Sequence, residues 1–88
     1  MKIKKGFSMR NIAGSNIVVP VGKAGDIFNG MITLNESGAF FWECLKEETT
    51  PSEVVKKVCD EYDIDEQTVK NDVEKFINML HENNLLDE

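Results

Sequence analysis

Long hydrophobic runs, cysteine and histidine are scarce in this sequence of 88 residues, and each scarcity excludes a class of protein. No run approaches the roughly 20 consecutive apolar residues of a membrane helix, and no secretory hydrophobic region follows the first residues. The prediction is therefore a soluble cytoplasmic protein with no membrane partner. Two cysteines are too few for the disulfide framework of a small secreted domain. Cys44 and Cys59 fall in helical apolar patterns, and we interpret them as reduced core thiols.

The residue clusters that support catalysis or cofactor binding are also lacking. Cys44, Cys59 and His81 have none of the spacings typical of zinc ligands, and the acidic runs lack the alternating ligands and central glycine of a calcium loop. No glycine-rich phosphate-binding segment occurs. The single histidine is predicted on the exposed side of a helix, where a solvated side chain is the usual finding. The sequence therefore predicts a protein that is not an enzyme and that needs no metal or other cofactor.

Charge is distributed unevenly along the chain, whose net charge is −6. The first 25 residues contain five basic side chains and no acidic one, whereas residues 26–88 contain five basic and 16 acidic side chains. Nucleic acids require clustered Lys or Arg for phosphate contacts, so the acidic second part argues against them as partners. A peptide or protein partner is the better expectation for a chain whose length indicates one domain, residues 1–88.

The first third of the chain has the composition of short strands separated by glycine-containing turns. Strands are predicted at residues 7–13, 17–21 and 27–34, with turns at residues 14–16 and 22–26. In the third predicted strand a two-residue period separates two faces. The face expected to be buried contains Phe28, Gly30, Ile32 and Leu34. The opposite face contains Ile27, Asn29, Met31 and Thr33.

From residue 35 the apolar period lengthens to about 3.6, which predicts three helices. The first has Asn35 as N-cap and an apolar face of Gly38, Phe41, Trp42 and Leu45. The second opens with Thr50 as cap, Pro51 at the first helical position and Glu53 completing a capping box. Its apolar stripe is Val54, Val55, Val58, Cys59 and Tyr62. The third starts near Asp65, has a face of Val69, Val73, Phe76, Ile77 and Leu80, and stops at Asn83 and Asn84. Leu85 and Leu86 are then expected to fold back onto the core.

These elements predict an α+β fold of the winged helix-turn-helix type, with a three-stranded antiparallel sheet followed by three helices. DNA binding is the first hypothesis for a fold of this type. The exposed face of the third helix argues against it because its charges are mixed, with Lys70, Asn71, Glu74, Lys75, Asn78 and Glu82. The other candidate binding surface is a free sheet edge, which accepts an added peptide strand. Residues 30–34 contain no proline and no charge to block such an edge. The first helix or a dimer mate is the alternative occupant of that edge.

Residues 34–45, Leu-Asn-Glu-Ser-Gly-Ala-Phe-Phe-Trp-Glu-Cys-Leu, resemble the signature of the PqqD-like family. The Leu-Asn-x-x-Gly-x-x-x-Trp portion is the most specific part. Residues 50–58, 62–65, 72–80 and 85–86 follow in the family's order and spacing, so the resemblance covers nearly the whole chain. Two glycines often found in the family are replaced here, one around Glu47 and Glu48 and one at Asn83 and Asn84.

The resemblance implies a non-catalytic peptide chaperone, a RiPP recognition element that works in the synthesis of ribosomally made, modified peptides. Members bind the leader of a precursor peptide and present its core to a modifying enzyme, commonly a radical S-adenosylmethionine enzyme. The leader adds as a strand to the third strand and lies in the cleft between that strand and the third helix. Carried onto this sequence, the backbone ladder is supplied by Gly30, Met31, Ile32, Thr33 and Leu34.

Helical geometry narrows which side of the third helix faces the cleft. With Val73, Phe76 and Leu80 toward the core, Asp72, Lys75 and Met79 lie on one shoulder, and Lys70, Ile77 and His81 lie on the other. We favour the first shoulder and include Phe76 with it as a peptide-binding residue, because Met79 offers an adaptable apolar contact and the two charges can orient a leader. Phe40, off the main stripe of the first helix, is a candidate for an enzyme-docking surface or for a second layer of the core. A winged-helix DNA-binding regulator and a dimeric structural module remain the alternatives.

Overall fold

The computed structural model describes residues 1–21 and 31–87 of the chain. The strands and helices of this part, in chain order, are β1 (Lys2–Ile3), β2 (Phe7–Ile12), β3 (Ser15–Pro20), β4 (Ile32–Leu34), α1 (Glu36–Cys44), α2 (Pro51–Glu61), α3 (Glu66–Glu82) and β5 (Leu86–Asp87). Strands β2, β3 and β4 form an antiparallel sheet in that order, and the three helices follow it. The predicted fold class is confirmed.

Strands β2 and β3 form a hairpin whose turn differs from the prediction. Ile12 pairs with Ser15, so the connection is the two-residue pair Ala13 and Gly14, and not residues 14–16. Both turn residues have positive φ, 52° at Ala13 and 84° at Gly14, as a tight hairpin turn of this twist requires. Alanine tolerates that backbone poorly, which is why the sequence alone favoured a later turn.

Strand β4 corresponds to the end of the third predicted strand. Its inward residues are Leu34, which is buried, and Ile32, which is half-buried, whereas Thr33 is exposed and Met31 just before the strand is 70% exposed. The alternation predicted for this strand is therefore confirmed for residues 31–34. The predicted turn at residues 22–26 and the strand positions 27–30, including Gly30, lie outside the described residues.

The three helix starts follow local capping chemistry. The side chains of Asn35 and Asp65 accept the backbone N–H groups of Gly38 and Thr68, at 2.7 and 3.1 Å. Thr50 accepts the backbone N–H of Glu53, but the Glu53 carboxylate accepts the hydroxyl of Thr49 at 3.1 Å instead of closing the predicted capping box. The predicted N-caps Asn35 and Thr50 are confirmed, and the third helix starts next to Asp65, as expected, with Asp65 as its cap.

The two ends of the described chain meet in a small sheet that no sequence pattern predicted. Ile3 pairs with Leu86, and the backbone N–H groups of Ile3 and Lys4 donate to the carbonyls of Leu45 and Leu85 at 2.9 and 2.8 Å. Asn84 allows this return because it adopts a left-handed φ of 61°, in agreement with the predicted helix stop. Leu85 and Leu86 fold back and are buried, as expected.

The core lies between the inner face of the sheet and the three helices. Its most completely buried side chains come from β3, from all three helices and from the flanking segments: Trp42, Leu45, Leu80, Leu85, Val18, Val54 and Val73. The predicted stripe of α2 needs one correction. Tyr62 follows the helix and is 48% exposed, because the chain becomes extended there and turns its side chain away from the stripe. Cys44 and Cys59 are free thiols and are half-buried at the margin of the core.

Candidate functional site

A cleft of about 360 Å³ opens between β4, the first turns of α1 and one side of α3. Three elements therefore position its walls. Its lining consists of Thr33, Leu34, Asn35, Ser37, Gly38, Phe41, Asp72, Lys75, Phe76 and Met79. Because β4 ends one residue before the α1 cap, the strand and the helix meet at a corner, and α3 closes the third side.

Strand β4 is an edge strand within the described part of the chain. It pairs with β3 on one side, and no described strand pairs with its other side. Helix α1 continues from the end of β4 and walls the cleft, so it does not pair with that edge. An unpaired edge presents backbone N–H and C=O groups that can receive an extended peptide.

The floor of the cleft is apolar and aromatic. Leu34, Phe41 and Phe76 are all buried, and the rings of Phe41 and Phe76 pack edge to face with their centroids 5.5 Å apart. This arrangement fixes both rings at a favourable aromatic geometry. Met79 is half-buried beside them and supplies a flexible apolar wall.

Gly38 determines how closely α1 approaches this floor. A side-chain Cβ at this position would lie 3.3 Å from a ring carbon of Phe76, 3.4 Å from Cβ of Leu34 and 3.2 Å from the capping oxygen of Asn35. These distances are tighter than ordinary van der Waals contacts. Glycine therefore lets the capping bond, the strand end and the aromatic floor occupy one corner of the cleft.

The rim of the cleft carries two charges of opposite sign. Asp72 and Lys75 are exposed on α3, and within the described residues neither forms a hydrogen bond or an ion pair. Their ionic groups are therefore available to a charged ligand. The rim also contains the exposed side chains of Thr33, Asn35 and Ser37, so the cleft combines an apolar floor with a polar border.

Most of the predicted peptide-binding residues come together here. Six line the cleft, namely Thr33, Leu34, Asp72, Lys75, Phe76 and Met79. Met31 and Ile32 continue the same edge outside the lining, and Gly30 lies outside the described residues. Lys70 and Ile77 line a different groove, between α2 and α3. The favoured shoulder of α3 thus faces the cleft, and peptide binding by these residues stays a prediction.

The α1 wall of the cleft was not predicted from the sequence. Asn35, Gly38 and Phe41 were assigned to capping and packing, and Ser37 was recognised only as part of the family signature. The sequence did carry a signal for this wall. A residue that caps a helix directly after an edge strand also borders that strand, so the first turns of the helix lie next to the strand edge. Phe41 and Gly38 serve both the core and the floor of the cleft.

The described residues offer little support for catalysis. They contain no cluster of three or more His, Cys, Asp or Glu side chains that could hold a metal ion. Burial raises the pKa of the Cys44 thiol, and the nearby Glu43 carboxylate adds to this against the opposing effect of Lys57. A reactive thiol needs the opposite shift. No helix of the described residues is long and apolar enough to cross a lipid bilayer.

This α+β topology leaves one edge of β4 unpaired among the described residues, beside an aromatic-floored cleft, which is the geometry that an added peptide strand requires. The model of the family described as coenzyme PQQ synthesis protein D (PqqD) matches residues 16–86. The chain belongs to this family, and the resemblance found from residues 34–45 is confirmed. Among proteins of curated function, none matches the chain.

Two solved structures are similar over almost their whole lengths. The first is TbiB1 in complex with the TbiA(beta) leader peptide, with 26% identity, a TM-score of 0.75, and coverage of 99% of this chain and 95% of that chain. The second is a lasso peptide synthetase B1 complexed with the leader peptide, with 15% identity, a TM-score of 0.71, and coverage of 96% and 93%. The second match establishes the fold alone. Membership in this family supports the prediction that the chain is not itself an enzyme.

Proposed function

We propose that this protein binds the leader of a ribosomally made precursor peptide, by strand addition to β4, and presents the peptide to a modifying enzyme. The observation that carries this proposal is an edge of β4 that no described strand pairs with, beside a cleft with an apolar floor and a charged rim. Membership in the PqqD family and the 26% identity to a leader-peptide complex support the leader as the ligand. The partner enzyme, following the family resemblance, is a radical S-adenosylmethionine enzyme.

Backbone pairing alone does not provide enough affinity. Successive residues of a strand direct their backbone groups to alternate edges, so residues 31–34 offer the groups of about two residues to a peptide. Roughly four hydrogen bonds at about 1 kcal/mol each contribute about 4 kcal/mol. Association costs about 4 to 15 kcal/mol before any net binding appears. Side-chain burial must therefore supply the remainder.

The apolar floor supplies that burial and selects the peptide. One apolar side chain buried against Leu34, Phe41 and Phe76 contributes about 1.5 to 3 kcal/mol. The leader therefore presents apolar side chains at alternate positions toward the cleft. Asp72 and Lys75 stand on the rim of the same cleft and orient charged leader residues, which fixes direction and register more than affinity.

A moderate affinity suits the role of a presenting protein. A disordered leader loses conformational entropy on binding, so the complex forms and dissociates within the time of a modification cycle. While the leader is bound, the core peptide is held at a raised effective concentration near the enzyme. The chemistry takes place on the enzyme.

Fluorescence anisotropy with any short peptide whose gene lies next to the gene of this protein tests the proposal. The labelled leader portion and the core portion of that peptide are titrated separately with the protein, and a scrambled leader of the same composition is the matched control. We expect saturable binding of the leader and weak or absent binding of the core portion and the scrambled leader. Equal binding of all three peptides, or of none, contradicts the proposed function.

A further inference from the structure

A second exposed apolar surface lies at the turn between α2 and α3. We define the turn patch as Phe40, Tyr62 and Ile64. Tyr62 is 48% exposed, Ile64 is 46% exposed, and the ring of Phe40 packs edge to face against that of Tyr62 with centroids 5.5 Å apart. Phe40 itself is half-buried and packs against the core, as one of the two alternatives for it expected, and its ring also contacts the exposed Tyr62.

The turn patch is held in a fixed shape. The backbone N–H of Tyr62 donates to the carbonyl of Val58 at 2.8 Å, and the Asp65 side chain caps α3 directly after Ile64. Single exposed apolar residues are ordinary on protein surfaces. Here Tyr62 and Ile64 lie on a short turn between two capped helices, and Phe40 of α1 packs against the Tyr62 ring. A preorganised surface of this kind loses little entropy when a partner binds.

Five carboxylates surround the turn patch, and this segment of seven residues contains no basic side chain. They are Asp60, Glu61, Asp63, Asp65 and Glu66, and all are exposed. Of these five carboxylates, only that of Asp65 accepts hydrogen bonds from other described residues, as the cap of α3. Like charges at this spacing repel one another. A partner that offsets this repulsion carries Lys or Arg around an apolar recess.

The turn patch also lies next to the peptide-binding cleft. Ser37 lines the cleft, and Phe40 follows it by three residues on α1. Residues three apart on a helix are surface neighbours, with about 5 to 6 Å between their Cβ atoms. A protein docked on the turn patch therefore stands beside a peptide held in the cleft, without covering the cleft itself.

We propose that the turn patch is the docking surface for the enzyme that modifies the peptide, and that the enzyme meets it with an apolar recess ringed by Lys and Arg. This inference rests on the proposed function, because it takes the partner to be the enzyme that receives the presented peptide. The five carboxylates around the turn patch, which we call the acidic ring, guide the enzyme to the turn patch, and the three apolar side chains provide the contact.

A pair of charge-reversed variants tests the docking surface. The variant Glu61→Lys/Asp63→Lys alters the ring, and Glu47→Lys/Glu82→Lys makes the same change of net charge far along the chain from the turn. None of these four side chains makes a hydrogen bond or ion pair among the described residues. The labelled proteins are titrated with any purified peptide-modifying enzyme whose gene lies beside the gene of this protein, in low and in high salt, and thermal unfolding checks that each variant folds.

We expect the ring variant to bind the enzyme about tenfold more weakly than wild type in low salt, and less so in high salt. The control variant should remain within about twofold of wild type. Ile64→Ser should weaken enzyme binding in both salt conditions, because it removes an apolar contact. Equal enzyme affinity of the ring and control variants overturns the docking surface.

Leader binding by the same variants separates this inference from the proposed function. The turn patch lies outside the cleft, so we expect every variant to bind the leader as wild type does. If the leader binds but the charge reversals in the acidic ring do not change the affinity for the enzyme, the docking surface alone is wrong. If wild type fails to bind the leader, the proposed function is wrong, and an enzyme affinity that still depends on the ring supports the docking surface independently.

Discussion

Proline substitutions at the edge of β4 separate backbone pairing from side-chain contacts. Successive backbone N–H groups point to opposite edges, so one of Met31→Pro and Ile32→Pro removes a group that faces the free edge, and the other removes a group on the β3 side. The variant that loses the N–H facing the free edge should weaken leader binding while the thermal unfolding temperature stays near that of wild type. The variant that loses the N–H facing β3 should lower the unfolding temperature, because it disturbs the pairing of β3 with β4.

The size of the binding effect follows from the lost hydrogen bond. A net contribution of about 1 kcal/mol corresponds to about fivefold in Kd, and leaving a peptide carbonyl unpaired beside the apolar floor raises the total loss to as much as about 3 kcal/mol. We therefore expect an affinity loss of about fivefold to 150-fold, measured by anisotropy with the labelled leader.

The matched controls are Met31→Ala and Ile32→Ala, which keep both N–H groups. Met31 is 70% exposed, so its truncation should leave the fold intact and report only the side-chain contact. If neither proline variant weakens leader binding more than its alanine control, strand addition at this edge is refuted.

Three further predictions concern α3, its end and the thiol of α1. Met79→Gln should weaken leader binding at least about fivefold, because it places an amide against the apolar cleft, whereas Ile77→Gln on the opposite shoulder should not; equal losses by anisotropy would contradict the assigned shoulder. Asn84→Ala should lower the free energy of unfolding by about 1 kcal/mol and Asn84→Gly should not, because only alanine is strained at a φ of 61°. Equal values in urea unfolding would contradict that explanation. Burial raises the pKa of Cys44, so the unfolded chain loses this proton at lower pH than the folded chain. The free energy of unfolding should therefore fall as the pH rises through the usual thiol range, and less so in Cys44→Ala; an identical decline in both proteins would contradict this cause.

The helix boundaries could be predicted from the sequence because their determinants are local. Asn35, Thr50 and Asp65 each accept a backbone N–H three residues later, and this interaction requires no knowledge of the rest of the fold. The left-handed stop at Asn84 is equally local. Helical periodicity defined the two shoulders of α3, and the first was favoured for the chemistry of Met79, Asp72 and Lys75.

The features that sequence reasoning missed depend on tertiary contacts. The pairing of Ile3 with Leu86 joins two-residue strands, which are too short to show a period, and it exists because the chain ends meet across the core. The hairpin turn is placed by the register of β2 on β3, which forces Ala13 into a conformation that its residue type disfavours. Tyr62 fits the apolar stripe of α2 by spacing, but the helix ends at Glu61.

The α1 wall of the cleft was missed for a related reason. Gly38 and Phe41 were correctly assigned to packing, and the sequence does not show that the same residues border an open strand. A site that shares residues with the core appears only when the strand, α1 and α3 are placed together.

An amide-resolved NMR titration of the protein with the leader tests the central claim most directly. The account predicts shifts concentrated at residues 31–34 and along Asp72, Lys75 and Met79, with little change at Lys70 and Ile77 on the other shoulder. Shifts confined to the α2 and α3 groove, or no shifts with a leader that the pathway enzyme accepts, would contradict strand addition at β4.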